Sequence, residues 1–336
     1  PQYIAHGYAT CGSCHYSPDG GGLLNAYGVA VTQALFPDDL DVEFIHSLRE
    51  TLEKRIVSGE DDEGGAAFHW DLGLDIRFLT VNAVTEIGAG KELYFIPMLF
   101  EAQGVMAWDK WTLYASVTPK KTGNSKRRFD ALSRQHWLQW RYSEELSLRV
   151  GRLVQPFGTR TPDHTVYVRR RLGFDKYDQS YGLQLDWNSQ DWSVSAMGFL
   201  GDEPWRDWES QEKGLSATAA YLLPGRAAIG VSTLYGQTTF QKRIAGGIFT
   251  RLKGIGKSYL LLELDFQRKF NSTQAQNELA AYGRLGWFAR EWLDLYGEFQ
   301  RIHVLSHPGS MNRLPHEMGF NIGANMQILT WLELVP

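Results

Sequence analysis

The chain has only two cysteines, and both fall in one pentapeptide, Cys11-Gly12-Ser13-Cys14-His15. Thiols spaced in this way can each add across one vinyl group of a haem, and the adjacent imidazole then lies under the iron as its proximal ligand. The motif therefore predicts one covalent haem c, anchored by Cys11 and Cys14 and ligated by His15. Two other uses of a Cys-x-x-Cys pair fit less well. A thioredoxin-like redox disulfide stands in a strand–helix alternation that is missing here. A closed zinc site wants four ligands, and no second cysteine pair completes one. Neither needs the immediate histidine.

The elements that must position this motif come in two kinds. Residues 1–65 hold the Cys-x-x-Cys-His run, a glycine turn at Gly20-Gly21-Gly22, and a helical stretch capped near Asp38 or Asp39, with Phe44, Ile45, Leu48, Leu52 and Ile56 at helical spacing. The acidic run Glu60-Asp61-Asp62-Glu63-Gly64-Gly65 reads as a linker. Residues 66–336 then switch to period two. Phe68, Trp70, Leu72, Leu74, Ile76 and Phe78 alternate with His69, Asp71, Gly73, Asp75 and Arg77, and the pattern returns around Tyr181–Trp187 and Met318–Ile328. Long alternating strands with aromatic ends favour lipid outside and a polar lumen inside.

Short turns fall near Trp108-Asp109-Lys110, Ser143-Glu144-Glu145, Asn188-Ser189-Gln190-Asp191, Leu223-Pro224-Gly225, Lys253-Gly254-Ile255, Arg290-Glu291 and Leu329-Thr330. Longer links are expected at 119–134, 156–180, 201–213, 270–277 and 305–316. Alternating short and long connections are the rhythm of an outer-membrane barrel. The fold class that follows is all-β, a transmembrane antiparallel β-barrel of about 16 strands, or about 14 as the alternative closure, with a small N-terminal haem-binding segment containing a helix. The count stands at about 14 complete strands and a fifteenth starting at Trp331, so the barrel is expected to be incomplete at its C-terminal end.

Composition agrees. A mean hydropathy of −0.32 would describe a water-soluble protein, but strands with one apolar and one polar face average to such values. No apolar run approaches the roughly 18 residues of a transmembrane helix. A net charge of −4 gives no basic excess for nucleic acid. Both haem attachment and barrel insertion require export, so the chain reads as a mature form whose signal peptide has been removed. No nucleophile–base pattern, phosphate loop or metalloprotease spacing points to catalysis.

The second axial position decides whether such a haem carries electrons or binds small molecules. His69 opens the first strand and points into the lumen by the alternation, which makes it the leading distal candidate; its bland reading is an ordinary polar lumen residue. His6, five residues before Cys11, is the alternative. His46 lies near the apolar stripe of the expected helix, and Met98 and Met106 are expected to face lipid. Tyr27 could pack on the porphyrin or on the neighbouring helix. Asp71, Asp75, Glu263, Asp265, Asp294 and Glu298 would line a cation-favouring lumen. Around Pro162-Asp163-His164, the triplet Arg169-Arg170-Arg171 could form an anion constriction or simply sit in a solvated extracellular loop.

The run Tyr8-Ala9-Thr10-Cys11-Gly12-Ser13-Cys14-His15, with Ser17-Pro18 and Gly20 through Gly28, resembles the haem-binding N-terminus of bacterial outer-membrane barrel proteins that carry one c-type haem. Gly151-Arg152, Gln155-Pro156-Phe157-Gly158, Arg160, Pro162-Asp163-His164 and Gly173-Phe174 also look like such barrels. The resemblance implies a porin-like cytochrome associated with electron transfer at the outer membrane, and it assigns no second axial ligand. One haem does not cross an apolar band about 25 Å tall, so other c-type cytochromes, periplasmic or at the cell surface, are the expected partners beside the lipid bilayer. A pore whose haem segment acts as plug or sensor is the competing reading, and the oligomeric state is left open.

Overall fold

A computed structural model describes residues 2–7, 14–17, 23–25, 27–28, 30–31, 68–84, 91–121, 129–160, 166–174, 178–202, 211–290, 293–306, 316–329 and 332–334. The expected helix over residues 38–56, with His46, lies outside them, as do Cys11 and residues 162–164.

Among the described residues sixteen strands carry almost all of the regular structure: β1 (Phe68–Val84), β2 (Lys91–Trp108), β3 (Trp111–Lys121), β4 (Phe129–Leu132), β5 (His136–Arg141), β6 (Leu146–Val154), β7 (Gln179–Asn188), β8 (Trp192–Phe199), β9 (Lys213–Leu223), β10 (Ala227–Gln237), β11 (Lys242–Lys253), β12 (Ser258–Phe270), β13 (Ala275–Arg290), β14 (Leu293–Ser306), β15 (His316–Leu329) and β16 (Leu332–Leu334). Fifteen of them form one antiparallel meander in chain order, and the short β4 pairs instead with β3, Thr118 opposite Leu132. No ladder joins β1 to β15 or β16 among the described residues, so the sheet is not closed there. Two four-residue helices, α1 (Gln2–Ala5) and α2 (Tyr167–Arg170), lie against the wall.

The wall is turned inside out relative to a water-soluble protein. In β10, Ile229, Val231 and Tyr235 are exposed while Ser232 and Leu234 are buried. In β1, Leu72, Leu74 and Ile76 point outward, and Asp71, Gly73 and Asp75 occupy the other face. Meanwhile Arg149, Gln184, Asp186 and Gln267 are wholly enclosed. Lipid explains the outer face, and the antiparallel ladders satisfy the backbone that lipid cannot solvate.

Near the short turns the exterior carries an aromatic girdle. Trp111 stacks on its cross-strand neighbour Trp140 at 6.3 Å, Trp140 meets Tyr142 edge-on, and Trp192 meets Tyr221 in the same manner. Trp187 Nε1 donates to Glu145 Oε2 at 3.1 Å. Aromatic rings with a polar tip suit the headgroup level of a bilayer.

Three expected long links differ in the structure. Residues 271–274 form a tight turn, because Asn271 Oδ1 accepts the N–H groups of both Thr273 and Gln274 and closes the hairpin in four residues. Part of 119–134 is strand, in the end of β3 and in β4. The third difference is larger. The link from β6 to β7 does not spread outward as a solvated loop but folds against the inner wall as a strap, and Phe157, Val166, Val168, Leu172 and Phe174 are buried with the inward residues Trp137, Leu153, Leu234 and Tyr259.

Candidate haem site and the interior it faces

Cys14 and His15 belong to a miniature antiparallel hairpin. His15 bridges to Leu24, Tyr16 N–H donates to Leu23 O at 3.2 Å, and Asn25 N–H donates to Cys14 O at 2.9 Å. Asn25 Oδ1 accepts the N–H of Gly28 at 2.8 Å, a capping contact to the helical turn at Tyr27 and Gly28. A Cβ on Gly28 would collide with the Cys14 carbonyl, so glycine is what lets that turn close over the hairpin. Cys14 is buried between them, at 3% exposure, whereas Tyr27 is half exposed.

The hairpin meets the inward-facing residues of β1. Tyr16 Oη donates to Asp71 Oδ2 at 2.5 Å, and the same oxygen contacts His69 Nε2 at 2.8 Å. The Tyr16 and His69 rings lie nearly parallel with centroids 6.5 Å apart. Leu23 packs against the interior cluster and lies over Gly73. Burial, then the neighbouring Asp71 carboxylate, pushes the Tyr16 phenol above its ordinary range, so it remains a donor throughout neutral pH.

The structure thus brings the residue after the haem-motif histidine into contact with the same carboxylate that holds His69. His6 is placed differently: it follows α1, which packs on β11, β12 and β13, with Ala5 buried and Gly7 close against Gly225. Met106 is exposed on the outer face, as expected. Tyr16, which the sequence reading passed over, is the link between the two sites. Its signal was available, as a large polar-tipped aromatic directly after a haem-type histidine.

The residues present fit a c-type haem in kind. Cys14 and His15 are fixed by a hairpin, and the rings of Tyr16 and His69 stand beside it. Asp71 occupies Nε2 of His69, which leaves Nδ1 as the nitrogen able to meet a metal, with the carboxylate orienting the ring as it commonly does behind metal-bound histidine.

Several opposite charges elsewhere on the inner wall are closely matched. Arg149 pairs with Asp186 at 2.9 Å, both fully buried. Arg134 holds Glu101 at 2.7 Å. Arg284 reaches Asp294 at 2.9 Å and Glu298 at 3.4 Å, and stacks 3.6 Å from the Tyr296 ring. Asp294 and Glu298 therefore face inward as the alternation requires, but they are neutralised rather than presented to a permeating cation.

The strap is fastened at both ends. Gly158 N–H donates to Ser232 Oγ at 2.8 Å and Thr159 N–H to Glu263 Oε2 at 2.9 Å. Ser216 Oγ donates to Pro156 O, and Tyr167 N–H to Gln300 Oε1. Arg243 donates to Leu172 O at 2.6 Å while gripping Glu212 with Nε and Nη2, its guanidinium over the Phe174 ring. Of the arginine triplet, Arg170 is exposed, Arg169 donates back to Phe174 O, and Arg171 pairs with Glu317.

A meander of long strands, apolar outside, girdled by aromatics and charged within, is the fold of an outer-membrane β-barrel. Solved structures bear this out. The chain is similar to the outer-membrane-expressed OmpT of Vibrio cholerae, with a TM-score of 0.63 and 9% identity over 82% of this chain and 86% of that one. It is also similar to a loop L8 deletion mutant of the same outer membrane protein, with a TM-score of 0.63 and 10% identity over 80% of this chain and 91% of that one. At such identities the likeness is one of fold. No protein-family model and no curated protein matches the sequence.

Proposed function

We propose that this protein is a porin-like cytochrome of the bacterial outer membrane, holding one covalent haem c at Cys11, Cys14 and His15 for electron transfer with partner cytochromes. The observation that carries the reading is the joint hold of Tyr16 and His69 on Asp71, which sets the haem motif beside an inward histidine of β1. His15 would be the proximal ligand and His69 the distal one, with His6 as the alternative. A haem so ligated supplies one-electron chemistry. The protein's own part is to fix the two imidazoles, to orient His69 through Asp71, and to exclude lipid and bulk solvent with the wall. Because one haem does not cross an apolar band about 25 Å tall, electrons must pass to c-type haems of other proteins on at least one side.

The strap favours a second reading, in which the barrel is a gated pore and the haem segment is its sensor; this would leave the iron open to a ligand. Absorption spectra of the purified full chain, oxidised and reduced, with and without carbon monoxide, separate the two. We expect c-type bands that survive denaturation, are lost when Cys11→Ser and Cys14→Ser are combined and are unmoved by carbon monoxide. A carbon monoxide shift would replace electron transfer with ligand sensing, and the absence of covalent haem would overturn both.

A further inference from the structure

Seven carboxylates are buried among the described residues, and five of them have a lysine or arginine nitrogen within 4.0 Å: Glu101, Asp186, Glu278, Asp294 and Glu298. The two without one are Glu263 and Asp265, successive inward positions of β12. Asp265 is 1% exposed, and neither of its oxygens has a hydrogen-bond partner among the described residues. Two neighbouring buried carboxyl groups with no lysine or arginine partner among the described residues are a costly arrangement, which a bound cation would relieve.

The surrounding atoms say what kind of positive group fits. Thr159 of the strap gives its N–H to Glu263, and its own Oγ1 is buried without a partner. Gln267, the next inward residue of β12, spends Nε2 on Glu278 and leaves Oε1 without one. The orphaned atoms are thus all oxygens, and a single shared proton could satisfy only one contact between the carboxyls. Space has been cleared for the acids as well. A Cβ on Gly247 of β11 would collide with Asp265 Oδ1, and one on Gly158 with Glu263 Oε1. The atoms at hand are carboxylate, hydroxyl and amide oxygens, donors that suit a hard cation completing its shell with water rather than a soft metal.

We propose that Glu263, Asp265 and Thr159 form a binding site for a hard divalent cation of the calcium type, which ties the strap to β12. The two carboxylates balance the charge of one such ion. Calcium tolerates irregular oxygen shells more readily than magnesium, which demands a near-ideal octahedron. The site is independent of the haem and stands whether or not haem is attached.

The test uses the full chain in detergent, stripped with EDTA and titrated with terbium(III), a luminescent substitute for calcium. Tyr282 stands opposite Glu263 on β13 and is placed to sensitise the emission. The expected result is a saturable signal displaced by calcium, with affinity at least about tenfold weaker in Asp265→Asn and in Thr159→Val. The threonine variant removes a hydroxyl without disturbing the acid pair, so it remains informative if the aspartate variant fails to fold. The absence of a saturable signal, or affinity unchanged in Thr159→Val, would overturn the proposal and leave the two acids sharing a proton.

Discussion

The strap and the haem-motif hairpin both meet the inner face of the wall, but on different terms. The strap is bonded to strands β9, β10, β11, β12 and β14 through Ser216, Ser232, Arg243, Glu263 and Gln300, and its apolar side chains are part of the interior cluster. The hairpin meets β1 through the hydrogen bond from Tyr16 to Asp71, which is one-fifth exposed, through the Tyr16–His69 ring contact and through Leu23. Filling the interior is thus a property of the barrel itself. Positioning the Cys-x-x-Cys-His motif is a local matter that could change with little effect on the wall, so stability and, on the proposed function, redox behaviour should respond to different substitutions.

The largest effect is expected at Arg243. Replacing it with alanine removes the grip on Leu172 O and strands Glu212, and we expect a loss of about 3 kcal/mol, measured as a lower unfolding midpoint in urea. The same variant frees one end of the strap, so single-channel conductance in planar bilayers should rise. A normal midpoint with unchanged conductance would show that the strap is not held from this side.

Gly158→Val tests the other end. Gly158 has φ +66, and the next residue but one, Arg160, has φ +54, so the strap enters the interior through a tight left-handed bend. A β-branched side chain there meets both the backbone penalty and the Glu263 carboxylate, at a cost of about 2 kcal/mol. If the proposed haem is attached, its bands should be unaltered in both strap variants; a spectral shift in either would mean that the two regions are coupled after all.

Much of this architecture is legible in the sequence because a lipid-facing wall imposes a strict period of two. His69, Asp71 and Asp75 could be assigned to the inner face from their apolar neighbours Leu72, Leu74 and Ile76, and the turns were marked by Asp109, Ser189, Pro224 and Gly254. The strap was not legible on those terms. Pro156, Gly158, Thr159 and the arginine triplet have the composition of a solvated loop, and no periodicity reveals that a connection bends inward. One signal did exist: Phe157, Val166, Val168, Leu172 and Phe174 are too many large apolar residues for a loop in water. The hold of Tyr16 on Asp71 joins residues 55 positions apart, and only the folded chain brings them together.

The smallest expected effect on stability, and the sharpest on function, is that of Tyr16→Phe. The substitution deletes one hydrogen bond at a partly solvated site, so the unfolding midpoint should move by about 1 kcal/mol or less. Asp71 then keeps His69 as its remaining hydrogen-bonding neighbour in this cluster. A carboxylate relieved of the phenol accepts more strongly from the imidazole, and a more basic imidazole stabilises ferric iron over ferrous. If His69 is the distal ligand, the midpoint potential in Tyr16→Phe should fall, by roughly a few tens of millivolts, while the carbon monoxide response stays absent. Because the phenol is protonated throughout neutral pH in the native protein, the shift should be the same at pH 6 and pH 8. An unchanged potential would separate His69 from the iron and transfer the distal role to His6, which follows α1.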